Sequence, residues 1–167
     1  MQDIFLFSDT IKDNIAYGNP KADINEIKKV SKKAQAHGFI KKLEDGYETI
    51  VGERGVGLSG GQKQRVSLAR AMMKDASIFV LDDVTSAVDM ETEKKIQYEL
   101  KNMKEKKTTF IIAHRISSLK QADMILVLEN GQIVERGTHE ELVNRGGYYT
   151  NIFNTQYGVI DLKGEAK

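Results

Sequence analysis

The chain has 167 residues, of which 40% are hydrophobic and 29% charged, with 25 lysine and arginine residues against 24 acidic ones. That length suffices for one domain with its own core, or for part of a larger one. The net charge of +1 gives no electrostatic argument for nucleic acid or an anionic membrane as a partner. The absence of cysteine excludes disulfides and thiolate metal sites, and the longest apolar runs are far below the ~20 residues of a membrane-spanning helix.

The first third of the sequence predicts two helices and a loop. Residues 1–20 alternate apolar and polar side chains and end at the turn signal Gly18-Asn19-Pro20. Asp23 stands three residues before Glu26, as in a capping box, and an apolar stripe then predicts a helix as far as Gly38. A short helix is predicted over residues 39–43 and a loop over residues 47–57. Lysines beside the apolar stripe indicate a solvated face rather than a binding patch.

The stretch of residues 58–89 predicts a helix and then a strand that ends in two carboxylates. Ser59 suits a helix N-cap, and the helix should reach about Lys74, with Asp75 as its stop. Residues 78–81 are all apolar, which predicts a strand covered on both faces, as in a parallel sheet. Asp82 and Asp83 follow directly, so they should lie at the carboxyl end of that strand.

The remainder predicts further alternation of helix and strand. After Asp89, an apolar stripe from Thr92 to Met103 predicts a helix that ends in residues 104–107, and residues 108–113 predict a buried strand that delivers His114 at its end. A short helix (116–121), a strand (124–129) and a hairpin through Asn130-Gly131 into residues 132–136 should follow. Thr138 and Glu141 then predict a capping box, and Gly146-Gly147 separates that helix from residues 148–157.

This order of elements predicts an α/β fold with a mostly parallel core, preceded by a helical region over residues 9–75. We expect one subdomain over residues 1–75, a second part over residues 76–160, and a frayed tail over residues 161–167.

Two features of residues 58–89 point to phosphate and metal chemistry. Paired glycines after a helix N-cap let backbone N–H groups approach an anion, although such a start alone is more often only a turn. A carboxylate at the carboxyl end of a buried strand, here Asp82, commonly holds Mg²⁺. Residues 55–60 also match the dinucleotide fingerprint G-x-G-x-x-G, but no apolar strand precedes them, so we reject that interpretation.

These residues resemble the nucleotide-binding domain of ABC transporters, in particular exporters of the multidrug and lipid type. The similar motifs, in the family's order, are the Q-loop glutamine Gln2, an exporter X-loop at residues 49–55, the signature motif Leu58-Ser59-Gly60-Gly61-Gln62, a Walker B strand ending at Asp82, a D-loop Ser86-Ala87-Val88-Asp89 and the switch histidine His114. The resemblance implies a partial P-loop NTPase core with a helical subdomain inserted before it.

The resemblance also implies residue roles and cofactors, ATP and Mg²⁺. The implied catalytic residues are Asp83, His114 and Gln2, and the implied metal ligands are Asp82 and Gln2. ATP would be bound by Ser59, Gly60, Gly61, Gln62 and Asp89. Glu53, in the X-loop, would couple the domain to a membrane domain.

Two departures from the family pattern matter. No glycine is followed by lysine, so the phosphate loop G-x-x-x-x-G-K-[ST] is absent from this sequence. We therefore expect a C-terminal portion of a nucleotide-binding domain that is inactive alone and marginally stable.

The second departure is Asp83, which stands where efficient family members have glutamate, and its side chain is shorter by roughly 1.5 Å. Asp83 either supports slow ATP hydrolysis or marks the degenerate half of a heterodimeric exporter, in which one of the two ATP sites binds ATP without much turnover.

The implied function is to couple ATP binding and hydrolysis to transmembrane export. The implied partners are a second nucleotide-binding domain and the transmembrane domain of an exporter, at the cytoplasmic face of the cell membrane. Two alternatives remain open: an ABC-type ATPase without transport, and a truncated, non-enzymatic fragment that acts only by pairing with a complete subunit.

Overall fold

The structure, a computed structural model, describes residues 4–52, 55, 57–103 and 107–157. The chain divides into two compact units, the first ending at Ile112 and the second beginning at Ala113. Within the first unit the elements are β1 (Asp9–Thr10), α1 (Ile11–Ala16), α2 (Ile24–Lys33), α3 (His37–Ile40), a 3-10 helix (Gly46–Glu48), β2 (Ile50–Val51), α4 (Gly60–Met73), β3 (Ile78–Asp82), α5 (Met90–Met103) and β4 (Thr108–Ile112). Within the second they are a 3-10 helix (Ile116–Ser118), β5 (Ile125–Glu129), β6 (Gln132–Gly137), α6 (His139–Arg145) and α7 (Tyr148–Tyr157).

Local capping signals set the starts of α2 and α4, as the sequence predicts. Asp23 caps α2 through a capping box with Glu26, and Ser59 caps α4. Asp75 has a φ of 50°, a left-handed conformation that ends α4. The prediction for α3 was wrong at both ends, since the helix runs from His37 to Ile40 rather than over residues 39–43.

Helix α1 was not predicted from the alternation in residues 1–20. Ile11 and Ile15 lie one helical turn apart and are both buried, and Thr10 caps the helix by accepting a hydrogen bond from Asp13 N. Helices α1 and α2 both pack against α4. β1 pairs antiparallel with β2, which lies in the region predicted as a loop.

Strands β3 and β4 form a parallel pair, with Ile78 opposite Thr108 and Asp82 opposite Ile112. The prediction that β3 is covered on both faces was wrong for the part of the chain that the structure describes. Phe79 and Leu81 are buried in the core with Ile96 of α5, whereas Ile78 and Val80 are 60% and 66% exposed. Successive side chains of a strand point to opposite faces, and the described residues cover only one of them.

The second unit has its own apolar cluster, which contains Ile116, Ile125, Val127, Leu142 and Tyr149. Strands β5 and β6 form the predicted antiparallel hairpin, and Asn130 and Gly131 at its turn both have positive φ, 51° and 77°. The predicted capping box of Thr138 and Glu141 starts α6, and Gly146, with a φ of 71°, ends it. The predicted helix over residues 116–121 is only a 3-10 turn, Ile116–Ser118.

The architecture is mixed α/β, as predicted. The proposed division into residues 1–75 and 76–160 stays a prediction, and the tail 161–167 lies outside the described residues. Among the described residues, no helix is both long and apolar enough to cross a membrane.

Candidate functional site

Helix α4 begins with a closed capping box. Ser59 N donates to Gln62 Oε1 (2.9 Å), and Gln62 N donates to Ser59 Oγ (3.3 Å). Ser59 and Gly60 are exposed, whereas Gly61 is buried. The capping box occupies the N–H groups of Ser59 and Gln62, and the other N–H groups of a helix's first turn are the backbone donors that can face an anion.

The turn after β3 packs directly on this helix start. A Cβ added to Gly61 would overlap the carbonyl oxygen of Ala87, so only glycine allows this approach. The sequence therefore places a glycine where the backbones of α4 and of the turn meet.

Gln64 joins the same two segments by hydrogen bonds. Its Nε2 donates to Asp83 O (3.1 Å) and Ser86 Oγ (2.9 Å), and its Oε1 accepts from Ala87 N (3.1 Å). Gln64 is 9% exposed, so its amide is largely shielded from water at one end of each bond. Gln64, two residues after the predicted signature motif, thus ties α4 to the predicted D-loop.

Asp82 and Asp83 follow each other at the carboxyl end of β3 but have different backbones. Asp82 is half-buried in β3, on the same strand face as Ile78 and Val80. Asp83 has a φ of 50°, a conformation that aspartate adopts more readily than most residues. Its N–H donates to Ile112 O (2.9 Å), and its carbonyl accepts from Ser86 N and Ser86 Oγ as well as from Gln64. The backbone of Asp83 is therefore fixed on both sides.

Asp89, which was predicted to bind ATP, lies at the start of α5. Its Oδ1 accepts from Thr92 N (2.9 Å) and Glu91 N (3.1 Å), and its Oδ2 accepts from the Thr92 hydroxyl (2.7 Å). These hydrogen bonds, those from Thr92 first, lower the pKa of Asp89 below its usual value. The carboxylate is thus already engaged as a helix cap.

His114 lies in the second unit, two residues beyond the end of β4, and is exposed. Its carbonyl oxygen accepts a hydrogen bond from Gln156 Nε2 (2.6 Å), and Gln156 Oε1 accepts from Ile116 N (2.9 Å). The backbone next to the predicted switch histidine is therefore tied to α7.

Sequence reasoning missed both glutamines. Gln64 carried a weak signal, because it falls on the buried face of α4 between Gly61 and Leu68, at helical spacing. Gln156 carried none, because its partners are about 40 positions away in the chain. Arg65 was also missed: its NH1 donates to Gln35 O (2.9 Å), which ties α4 to the end of α2.

The structure thus brings together the signature residues, Asp83 and the D-loop within the first unit. Gln2 and Glu53 lie outside the described residues. Among the residues that the structure describes, no three His, Cys, Asp or Glu side chains cluster as ligands of a metal ion. A single carboxylate such as Asp82 nevertheless suits Mg²⁺, which keeps several waters and takes further oxygens from phosphate.

Comparison with known proteins adds to this geometry. The ABC transporter family model matches residues 1–86. The ABC transporter ATP-binding protein YknU of Bacillus subtilis is 56% identical over 99% of this chain, and the ATP-dependent lipid A-core flippase of Saccharophagus degradans is 49% identical over 93% of it. The chain spans 28% and 27% of the lengths of these two relatives.

Comparison with solved structures leads to the same family. A bacterial Atm1-family ABC exporter with ATP bound superposes with a TM-score of 0.90 at 43% identity, over 94% of this chain and 28% of that one. The predicted α/β fold is thereby confirmed as that of an ABC exporter's ATPase part. This chain belongs to the ABC transporter family.

Proposed function

We propose that the chain is the ATP-binding and ATP-hydrolysing part of an ABC exporter, in which ATP binding and hydrolysis drive transmembrane export. The family is one of nucleotide-binding ATPases, and the similar proteins include an ATP-dependent flippase and an exporter. The observation that carries the proposal is the direct contact between the capped start of α4 and the turn that follows β3. That contact joins a phosphate-facing helix start to a pair of carboxylates.

Each predicted site residue has a role in this proposal. Ser59, Gly60, Gly61 and Gln62 present the start of α4 to the phosphates of an ATP molecule. This molecule is held mainly by the phosphate loop of a second nucleotide-binding domain, which is the proposed partner. The exposure of Ser59 and Gly60 supports this assignment. Asp89 contributes chiefly by starting α5 and so holding the D-loop.

Asp82, with Gln2, is the proposed ligand of Mg²⁺, which when bound neutralises charge on the phosphates. Asp83 is proposed to orient the attacking water, and His114 to contact the terminal phosphate. Glu53 is proposed to contact the transmembrane domain of the exporter, which would hold this chain at the cytoplasmic face of the membrane.

Asp83 is proposed to mark the degenerate ATP site of a heterodimeric exporter. Aspartate falls short of the position that glutamate reaches by roughly 1.5 Å, and a general base must lie within hydrogen-bonding distance of the proton it takes. The backbone of Asp83 is held by Ile112, Gln64 and Ser86, so it cannot easily shift forward to compensate. This anchoring supports slow turnover at the site.

The test compares wild type with Asp83→Glu in a purified exporter that contains this chain, reconstituted in lipid vesicles. We expect the ATP hydrolysis rate at this site to rise by about tenfold or more, since the longer carboxylate reaches the water. Asp45→Glu, the same change at an exposed residue, is the matched control. An Asp83→Glu rate equal to wild type would contradict the degenerate site, and no ATP hydrolysis or ATP-dependent transport in the wild-type assembly would contradict the proposed function.

A further inference from the structure

The loop that carries His114 is held to α7 by one side-chain amide, that of Gln156. Gln156 Nε2 donates a hydrogen bond to the carbonyl oxygen of His114 (2.6 Å), and Gln156 Oε1 accepts one from the N–H of Ile116 (2.9 Å). One amide thus fixes the two backbone groups on either side of Arg115. Because donor and acceptor are both used, no other orientation of this amide satisfies the two partners.

Helix α7, which carries Gln156, is itself anchored at both ends. At its start, Tyr148 N and Tyr149 N donate to the carboxylate of Glu135 (2.6 and 3.0 Å). Near its end, the ammonium of Lys120 lies over the ring of Tyr157, 4.2 Å from its centroid. The helix therefore provides a fixed support for Gln156.

The rings between these anchors add further contacts. Tyr149 is buried, and its hydroxyl is hydrogen-bonded to His139 Nδ1 at 2.8 Å. Lys120 also lies over the ring of Phe153, at 5.5 Å from its centroid. All of these residues, like His114, belong to the second compact unit, which begins at Ala113.

We propose that Gln156 is a positioning residue for the switch histidine, so that α7 and not β4 alone sets where the His114 side chain lies. The proposal rests on the proposed function, because it assigns His114 to the ATPase reaction. Its physical basis is that a loop held by two hydrogen bonds samples fewer backbone conformations than a free one.

The first test is a double-mutant cycle on ATP hydrolysis in an exporter that contains this chain; Asp83→Glu is present in every variant and in the wild-type reference of this cycle, so that turnover at this chain's own site is measured. We expect Gln156→Ala to lower kcat by about tenfold with KM for ATP nearly unchanged. On a His114→Ala background the same substitution should have no further effect, because Gln156 acts through His114. Gln132→Ala, at an exposed glutamine of β6, is the matched control and should match wild type. Additive losses in the cycle would overturn the proposal.

A second variant separates positioning from general loss of structure. Gln156→Glu keeps an oxygen for the Ile116 N–H but removes the donor to the His114 carbonyl and sets a negative charge against it. We expect kcat for Gln156→Glu to fall at least as far as for Gln156→Ala, whereas a kcat equal to wild type would overturn the proposal.

A third measurement does not depend on ATP. Amide hydrogen exchange in the same assembly should be about tenfold faster at Ile116 in Gln156→Ala than in wild type, with the amides of β5 unchanged. Unchanged exchange at Ile116 would overturn the positioning role even if His114 is catalytic. Faster exchange at Ile116 together with a His114→Ala variant of full activity would instead refute the role of His114 and, with it, the proposed positioning of a switch histidine.

Discussion

At the scale of single residues, Gln64 joins α4 to the turn after β3 by three hydrogen bonds. Its amide satisfies the carbonyl of Asp83, the hydroxyl of Ser86 and the N–H of Ala87 in a nearly buried position. A buried polar group costs free energy when it loses its hydrogen-bond partner. The amide of Gln64 therefore stabilises the packing of the turn after β3 against α4.

Replacement of Gln64 by alanine should therefore destabilise the chain. We expect the free energy of unfolding to fall by about 1–3 kcal/mol, because the N–H of Ala87 is left without its partner. Urea denaturation measures this loss, and Gln97→Ala, at a half-buried glutamine of α5 bonded to Glu93, serves as the control with a smaller loss. Equal losses for the two variants would contradict the special role of Gln64.

The two glycines at the start of α4 should respond differently to the same substitution. A Cβ at Gly61 would overlap the carbonyl oxygen of Ala87, whereas a Cβ at Gly60 would meet only the Cβ of Ala87, at 3.7 Å. We expect Gly61→Ala to cost about 1–3 kcal/mol of unfolding free energy, as overpacking usually does. Gly60→Ala should be neutral or slightly stabilising, since alanine favours a helix. Equal unfolding midpoints in urea would contradict this difference.

At the scale of elements, strand β3 has one buried and one exposed apolar face. Leu81 is 2% exposed and Val80 is 66% exposed, although both lie in the same apolar run. In the 167-residue chain we expect Leu81→Ala to cost about 2–5 kcal/mol of unfolding free energy, and Val80→Ala to change it by less than about 0.5 kcal/mol. Chemical denaturation of both variants measures the difference, and a cost for Val80→Ala comparable to that for Leu81→Ala would show that this face is covered in solution.

The junction of α3 with the first 3-10 helix should make stability depend on pH. His37 Nδ1 is hydrogen-bonded to the Tyr47 hydroxyl (2.8 Å), and burial, followed by the charges of Lys32, Lys41 and Lys28, lowers the pKa of His37. The unfolded chain then takes up a proton at higher pH than the folded chain.

The stability that His37 contributes in its neutral form is therefore complete above the unfolded pKa of about 6.5. It is lost as the pH falls through the lower pKa of the folded chain. His37→Gln should flatten the decline in unfolding free energy that begins as the pH falls below about 6.5. His139, whose pKa is lowered by burial and by Lys120, leaves a residual slope. A His37 pKa of 6.5 or above in an NMR titration would contradict the prediction.

At the scale of the whole molecule, the absence of a phosphate loop from these 167 residues should decide activity. The proposed nucleotide site includes the start of α4 and Asp82, but the sequence has no G-x-x-x-x-G-K-[ST] phosphate loop to enclose the β- and γ-phosphates. We expect the purified chain to hydrolyse no ATP and to bind it only weakly.

Isothermal titration calorimetry with Mg-ATP tests this expectation directly. The control is a complete nucleotide-binding domain alone, whose phosphate loop should give measurable ATP binding under the same conditions. Micromolar affinity for ATP in the chain alone would contradict the expectation.

Much of the fold was predictable because its signals are local. The capping boxes at Asp23 and Thr138 and the N-cap at Ser59 each involve residues three positions apart, and the Asn130-Gly131 turn needs only two residues with positive φ. Such short-range interactions are specified by neighbours in the chain, so the sequence by itself determined where these elements begin and turn. It also carried the motifs by which the family is identified.

Only the tertiary structure decided how those elements use their side chains. The exposure of Val80, the engagement of Asp89 as a helix cap and the hydrogen bonds of Gln64 and Gln156 were not predicted. The two glutamines bond residues about 20 and 40 positions away, and no periodicity within one segment encodes such a distant partner.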